Sequence, residues 1–325
     1  MVLYLSEQDV DSLLTLDDAI TAVESALREH GEGKAVNRPR QRVLAGNTML
    51  HVLPAAVPSA GRLGLKAYTT GPGGARFWML LFGAEGELLA ILEADRLGQL
   101  RTGAATGVAT KYLARPESRT VAILGSGYQA RTQLAAVCKV RPIAQARVWS
   151  RTPEHAAAFA QEMAAQLGIE VVPAPSAREA VRGADVVITI TTAREPILFG
   201  EWLEPGMHLN VAGSNRASHR EVDVAAVARA QRVVVDDLAQ SQVESGDLIA
   251  AVAAGAVRWE EMVELGAVVA GRAPGRESPE AITLFKSNGL GLWDVAVAAR
   301  VYDLARERGV GQSLPIPGIP RRVRT

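Results

Sequence analysis

The chain has a single cysteine, Cys138, among 325 residues, so no disulfide can form within it. A buried structural thiol is the expected role, since Cys138 falls inside a helical stretch. No apolar run approaches the ~18 residues that cross a membrane. Neither sign of charge is in excess: Lys+Arg and Asp+Glu both number 35, which removes the usual electrostatic reason for a nucleic-acid partner. Aromatic residues are few, with five Phe, five Tyr and five Trp, and none is assignable to a binding pocket by pattern. His30, His51, His155, His208 and His219 show no metal-ligand spacing with one another or with Cys138. There is no Gly-x-Ser-x-Gly elbow and no repeat. The first residues lack a basic segment followed by an apolar one, so no signal peptide is expected and a cytoplasmic protein is.

What is present centres on Thr120–Ala130, Thr-Val-Ala-Ile-Leu-Gly-Ser-Gly-Tyr-Gln-Ala. Val121–Leu124 is a short apolar run suited to a buried parallel strand. Gly125, Gly127 and Ala130 then occupy the three small-residue places of a dinucleotide-binding turn. The first allows the tight turn, the second the approach of a pyrophosphate, and the third close helix–strand packing. A helix from Tyr128 to about Lys139 would offer its free N–H groups, beginning at Ser126, Tyr128 and Gln129, to phosphate.

Around this turn the pattern divides. Residues 6–30 read as helical, with Ser6/Asp9 and Thr15/Asp18 as starts. Residues 36–93 read as short strands joined by turns, an antiparallel sheet of hairpins. Residues 97–114 form a small-residue-rich helix. From Thr120, six strand candidates (121–124, 146–149, 169–172, 186–191, 208–212 and 233–235) alternate with helices. That alternation predicts an α/β chain with a doubly wound parallel sheet. A last helix covers about 290–308 and stops at Gly309.

Several polar residues invite chemistry. The second strand of the nucleotide unit ends at Trp149 without the carboxylate that would bond a ribose 2′-hydroxyl. Ser150, Arg151 and Thr152 stand there instead and suit a 2′-phosphate, which points to NADP, with NAD as the alternative. Lys66 sits in an apolar strand. It is either an edge residue in water, the commoner place, or a functional amine with a burial-lowered pKa. Arg101 precedes Thr102-Gly103-Ala104-Ala105-Thr106, all small, so another chain or a ligand can come close to this helix. Arg101 is then a carboxylate clamp or a helix-surface residue. Arg38, Arg40 and Arg42 form a basic run before a strand, and a solvated edge accounts for at least one of them.

Lys66, Arg101–Ala105 and Gly125–Ala130 together resemble the ornithine cyclodeaminase / mu-crystallin family. So do Ala184–Val187, Glu195–Trp202, Glu244–Asp247 and Leu284–Ser287. The resemblance covers nearly the whole chain. It implies a homodimer with two domains. Residues 1–117, with 292–325 returning, would form an α+β substrate-binding and dimerisation domain. Residues 118–291 would form a Rossmann domain binding NAD(P), with the active site between the two. It further implies α-imino- or α-amino-acid substrates and hydride exchange with a nicotinamide. By motif, Lys66 matches the active-site lysine and Arg101 the carboxylate-binding arginine, with a second substrate arginine at Arg42 or Arg40. Thr106, the glycine turn, Ser150–Thr152, Thr191 and Ala212 match cofactor contacts. Cyclodeaminases carry an aspartate where Asn215 stands here, and an amide is no carboxylate base. The leading expectation is therefore reduction of α-imino acids with NADPH, or the reverse amino-acid dehydrogenation. An ornithine-cyclodeaminase-type lyase with bound NAD is the second reading, and a non-catalytic NADPH- or small-ligand-binding protein the third.

Overall fold

The computed structural model describes residues 1–316 and contains two eight-stranded sheets. The glycine turn belongs to the second. Its strands run in the order Glu170–Pro173, Gln145–Trp149, Thr120–Leu124, Val186–Thr189, His208–Val211, Thr283–Lys286, Arg232–Val235 and Val263–Glu264. Every pairing in it is parallel. All six expected strands are present. Two others were not expected from the sequence. Thr283–Lys286 inserts between the fifth and sixth, and Val263–Glu264 forms the far edge. Both are short, four buried residues and two half-buried ones, and runs of that length have no periodicity that separates strand from helix. Apolar clusters cover both faces of the sheet, as a fully parallel sheet requires.

The first sheet carries the expected hairpins: Gln41–Ala45, Thr48–Val57, Arg62–Gly71, Gly74–Gly83 and Leu88–Glu93, each antiparallel to the next. It is mixed rather than purely antiparallel, because Val2–Leu5 adds on parallel to Leu88–Glu93 and pairs antiparallel with Gln312–Leu314 on its other side. Two helices precede the hairpins, Glu7–Leu13 and Leu16–Gly31. Ser6 with Asp9 and Thr15 with Asp18 form the capping boxes that start them.

The helix Asp95–Leu113 joins the two sheets and is almost wholly buried. Its glycines meet another element of the same chain. A Cβ on Gly103 would lie 2.5 Å from the carbonyl oxygen of Thr132, on the helix Tyr128–Val140 that follows the glycine turn. The last helix, Gly291–Arg308, returns to pack on the first sheet, and its apolar residues join the N-terminal core. Gly291 lets it begin against the backbone of Leu53, where a Cβ would stand 2.6 Å from the carbonyl oxygen. The expected return of the chain after 292 extends to 325, and residues 317–325 lie outside the described residues. Cys138 is half-buried, and burial pushes its thiol up to about 12, which leaves it unreactive at neutral pH.

Candidate active site

Two cavities meet along the joint between the sheets. One, of about 500 Å³, lies over the glycine turn. The other, of about 300 Å³, lies against the strand Arg62–Gly71 and the start of the helix Asp95–Leu113. Gln129, Ile190 and Gly213 line both, so the two spaces are continuous.

The larger cavity fits a dinucleotide. Gly125 has φ +121°, and a Cβ there would lie 2.3 Å from the carbonyl oxygen of Ile190. Only glycine fits that turn. At Gly127 a Cβ would meet nothing within 4 Å, so this glycine faces open space in which a pyrophosphate has room. The helix that follows has no side-chain cap, which leaves its first N–H groups for an anion. Ser126, Tyr128 and Gln129 stand at the same end, and Ser150, Arg151 and Thr152, which follow the neighbouring strand, line the cavity too. Thr191 lines it as well, held by Glu221 through its N–H (2.6 Å) and its hydroxyl (2.7 Å). Ala130 is fully buried and acts through close packing rather than contact. Ala212 lines the smaller cavity. Thr106 departs from expectation: it is fully buried, lines neither cavity, and its hydroxyl donates to Gln133 Oε1.

The smaller cavity is built on Lys66. The edge alternative fails, because the strand Arg62–Gly71 is paired on both sides and Lys66 lies opposite Leu53 and Met79. The amine is buried, donates to Asp294 Oδ1 (3.1 Å) and stands 5.1 Å from the centre of the Phe77 ring. Burial pushes its pKa down to about 8; Asp294 works against that shift, and Arg101 adds to it. Arg101 is also no surface residue. Its Nε donates to the same Asp294 oxygen at 3.0 Å, and among the described residues its two terminal nitrogens have no protein partner. One carboxylate oxygen thus holds both cations. The fork of Arg101 is left free to bind a carboxylate on the cavity wall.

The choice left open between Arg40 and Arg42 is narrowed by placement. Arg40 lines the cavity and Arg42 stands behind it. Both are tied to the buried Glu244, at 2.7 Å and 2.6 Å. Arg40 also donates to the carbonyl oxygens of Asn288 (2.9 Å) and Gly289 (3.2 Å), so its terminal nitrogens are already engaged. Arg42 donates to the carbonyl oxygen of Asn215 (3.0 Å), which anchors the loop that carries Asn215 onto the cavity wall.

Three acids that organise the site escaped the sequence reading. Asp294 had a signal: it is the only charge in the buried run 291–299 of an otherwise apolar helix, and a lone buried acid requires partners. Glu244 lies within the quoted stretch Glu244–Asp247. Glu221 is fully buried. Besides Thr191 it accepts from Thr189 (2.9 Å) and from the Gly213 N–H (2.7 Å), and so clamps the two loops between the cavities. No group of three or more His, Cys, Asp or Glu among the described residues is placed to hold a metal ion, and no described helix is long and apolar enough to cross a membrane.

Comparison with known proteins agrees with this arrangement. The Thermococcus litoralis Δ1-pyrroline-2-carboxylate reductase, solved with NADH and L-proline, is 38% identical and superposes with a TM-score of 0.92 over 96% of this chain and 100% of its own. An archaeal alanine dehydrogenase dimer with bound NAD is 36% identical, with a TM-score of 0.90 over 96% and 98% of the two chains. The iminosuccinate reductase of Paracoccus denitrificans, solved with NAD+, is 32% identical, with a TM-score of 0.92 over 97% and 99%. A sequence model described as the ornithine cyclodeaminase/mu-crystallin family matches residues 2–309. With a family match over nearly its whole length and the site of that resemblance assembled in one cleft, the chain belongs to the ornithine cyclodeaminase/mu-crystallin family.

Proposed function

We propose that this chain is a nicotinamide-dependent oxidoreductase that reduces the C=N bond of α-imino acids, or oxidises the corresponding amino acids in reverse. The observation that carries the reading is the buried Lys66–Asp294–Arg101 cluster at the inner end of the dinucleotide cleft. The named relatives support it: two are imine reductases and one an amino-acid dehydrogenase, each solved with NADH, NAD or NAD+. A bound reduced nicotinamide supplies the hydride. The chain's own residues position and protonate. The free fork of Arg101 takes the α-carboxylate, and Asp294 keeps that fork oriented through Nε. Lys66, its pKa pushed down by burial to about 8, is protonated at neutral pH and delivers a proton to the nitrogen as the double bond becomes an amine. Gln129, Ile190 and Gly213, which line both cavities, stand where the nicotinamide would meet the substrate.

For the nucleotide, Arg151 supports NADPH over NADH. It is exposed, lines the cleft, and has no ion-pair partner among the described residues. Exposed Val43, Leu44 and Leu50 on the first sheet support a homodimer, in line with the dimeric alanine dehydrogenase. The proposed division of the chain is the sequence-based one, 1–117 with the returning C-terminal part and 118–291, in a cytoplasmic enzyme.

The test is loss of reduced-nicotinamide absorbance with cyclic imino acids, and with glyoxylate, pyruvate or oxaloacetate each mixed with ammonia or methylamine. Consumption that is lost in Lys66→Ala, while nucleotide binding persists, is the expected result. Ammonia release from ornithine with no net nicotinamide change would instead establish the lyase. Tight NADPH binding with no turnover on any imine would establish a binding protein.

A further inference from the structure

The substrate cavity holds more positive charge than one carboxylate answers. Arg40, Arg42, Lys66, Arg101 and Arg216 stand on its wall or just behind it. Two buried carboxylates face these five cations: Glu244 serves Arg40 and Arg42, and Asp294 serves Lys66 and Arg101. Among the residues that line the cavity itself, four are cations, Arg40, Lys66, Arg101 and Arg216, and one, the exposed Asp95, is an acid. An α-carboxylate on Arg101 uses one of them.

Arg216 carries the remainder. It lines the cavity, is exposed, and its guanidinium makes no ion pair or hydrogen bond among the described residues. Its backbone is held at this point of the loop. Its N–H donates to Ser214 Oγ at 3.2 Å, and the carbonyl of its neighbour Asn215 is held by Arg42. Its charge also reaches the inner wall. The ring of His51 stacks on Tyr68 at 4.2 Å and bonds Thr70 through Nε2 (3.2 Å). Burial, with Arg42, Arg40 and Arg216, pushes that ring down to about 4, so His51 adds no charge of its own at neutral pH. The lining also offers polar groups at His51, Thr70, Ser214 and Asn215, beside the aromatic rings of Tyr68 and Phe77.

We infer that the cavity takes an α-imino acid bearing a second carboxylate, with Arg101 on the α-carboxylate and Arg216 on the distal one. The inference rests on the imino-acid reading above and narrows its substrate class. An apolar side chain would strip water from an arginine and give nothing back, whereas a carboxylate offers it a bidentate, charge-assisted partner. Neither carboxylate changes in the reaction. The Cα receives a hydride from the reduced nicotinamide, the nitrogen receives a proton, and the products are an amino dicarboxylic acid and the oxidised nucleotide.

The test compares kcat/KM for the imine formed from oxaloacetate and ammonia with that for the imine from pyruvate and ammonia. It uses the wild type, Arg216→Gln and Arg216→Lys. Arg216 is exposed, so these variants keep the core intact. The expected wild-type preference is at least tenfold for the dicarboxylic imine. Arg216→Gln should reduce that ratio at least tenfold, chiefly through KM, and Arg216→Lys should restore part of it. A wild type that reduces the pyruvate imine as well or better overturns the inference and leaves the reductase reading standing. An unchanged ratio in Arg216→Gln overturns the assignment of Arg216. Consumption with no imine at all overturns the reductase reading, and this inference with it.

Discussion

Replacing Asp294 with Asn tests the heart of the site. The side chain keeps its shape and one acceptor oxygen but loses the charge that Lys66 and Arg101 share. Lys66 is faced by Asp294, Arg101 and Arg40, and burial and both arginines push its pKa down while Asp294 alone holds it up. An opposite charge in contact moves a pKa by about 1–3 units. Without it the Lys66 amine should titrate about 1–3 units below its present value of about 8. If the protonated amine is the proton donor in imine reduction, activity is high below this pKa and falls above it. The alkaline limb of kcat/KM against pH, expected near 8 in the wild type, should therefore move to lower pH in Asp294→Asn. For a shift of about two units, the protonated fraction at neutral pH drops about tenfold, and the rate with it. The assay is initial-rate nicotinamide consumption across pH with one imino substrate. Thermal melting and nucleotide binding serve as controls for folding. Activity should recover on acidification, which a collapsed site would not do. A variant whose alkaline limb stays where the wild type has it would refute the coupling of Asp294 to Lys66.

Other perturbations follow from the same geometry. A Cβ on Gly98 would lie 2.7 Å from Lys66 Nζ and touch little else, so Gly98→Ala should displace the amine and cut kcat about tenfold or more with the melting temperature nearly unchanged. Normal turnover in that variant would place the working amine elsewhere. Arg151→Gln should raise KM for NADPH about tenfold or more and leave KM for NADH within a few-fold, since a charge-assisted bond to phosphate is worth about 1.5–3 kcal/mol. Equal effects on both nucleotides would remove Arg151 as a phosphate clamp. His208 is fully buried between Thr283 and Asn210, and burial, aided by Arg276, pushes it from 6.5 down to about 3. Below 6.5 the unfolded chain takes up a proton that the folded one refuses, so the stability it contributes is complete above 6.5 and falls as pH drops toward 3. His208→Gln should therefore lose about 1.4 kcal/mol less per pH unit than the wild type in that window, measured by denaturant unfolding. Parallel pH slopes would show that His208 is protonated in the fold.

Legibility in the sequence followed the range of the interactions involved. Ser6 finds Asp9, and Thr15 finds Asp18, three residues along, so both helix starts could be read from the chain and both capping boxes formed. The helix Pro153–Leu167 likewise carries its ends in local residues, since Pro opens it and Gly168 closes it in the left-handed conformation. Val2–Leu5 was missed because its partners lie at Leu88–Glu93 and Gln312–Leu314, and nothing local marks it as a strand. Lys66 was legible as a residue of interest but not as a buried one. Its burial depends on neighbours contributed by two adjacent strands and on a helix more than two hundred residues away.

By itself the sequence determined the dinucleotide turn, the alternation that builds the parallel sheet, and the presence of a lysine and an arginine suited to a carboxylate. Those features depend on residue type and on spacings of a few positions, which constrain φ, capping and face directly. Only the tertiary structure decided which charges meet. It brought Asp294 between Lys66 and Arg101, engaged Arg40 and Arg42 with Glu244, and left Arg216 on the cavity lining without an ion-pair partner among the described residues. Electrostatic partnership depends on distance in space, and the folding of two sheets against one joining helix sets that distance, not position along the chain.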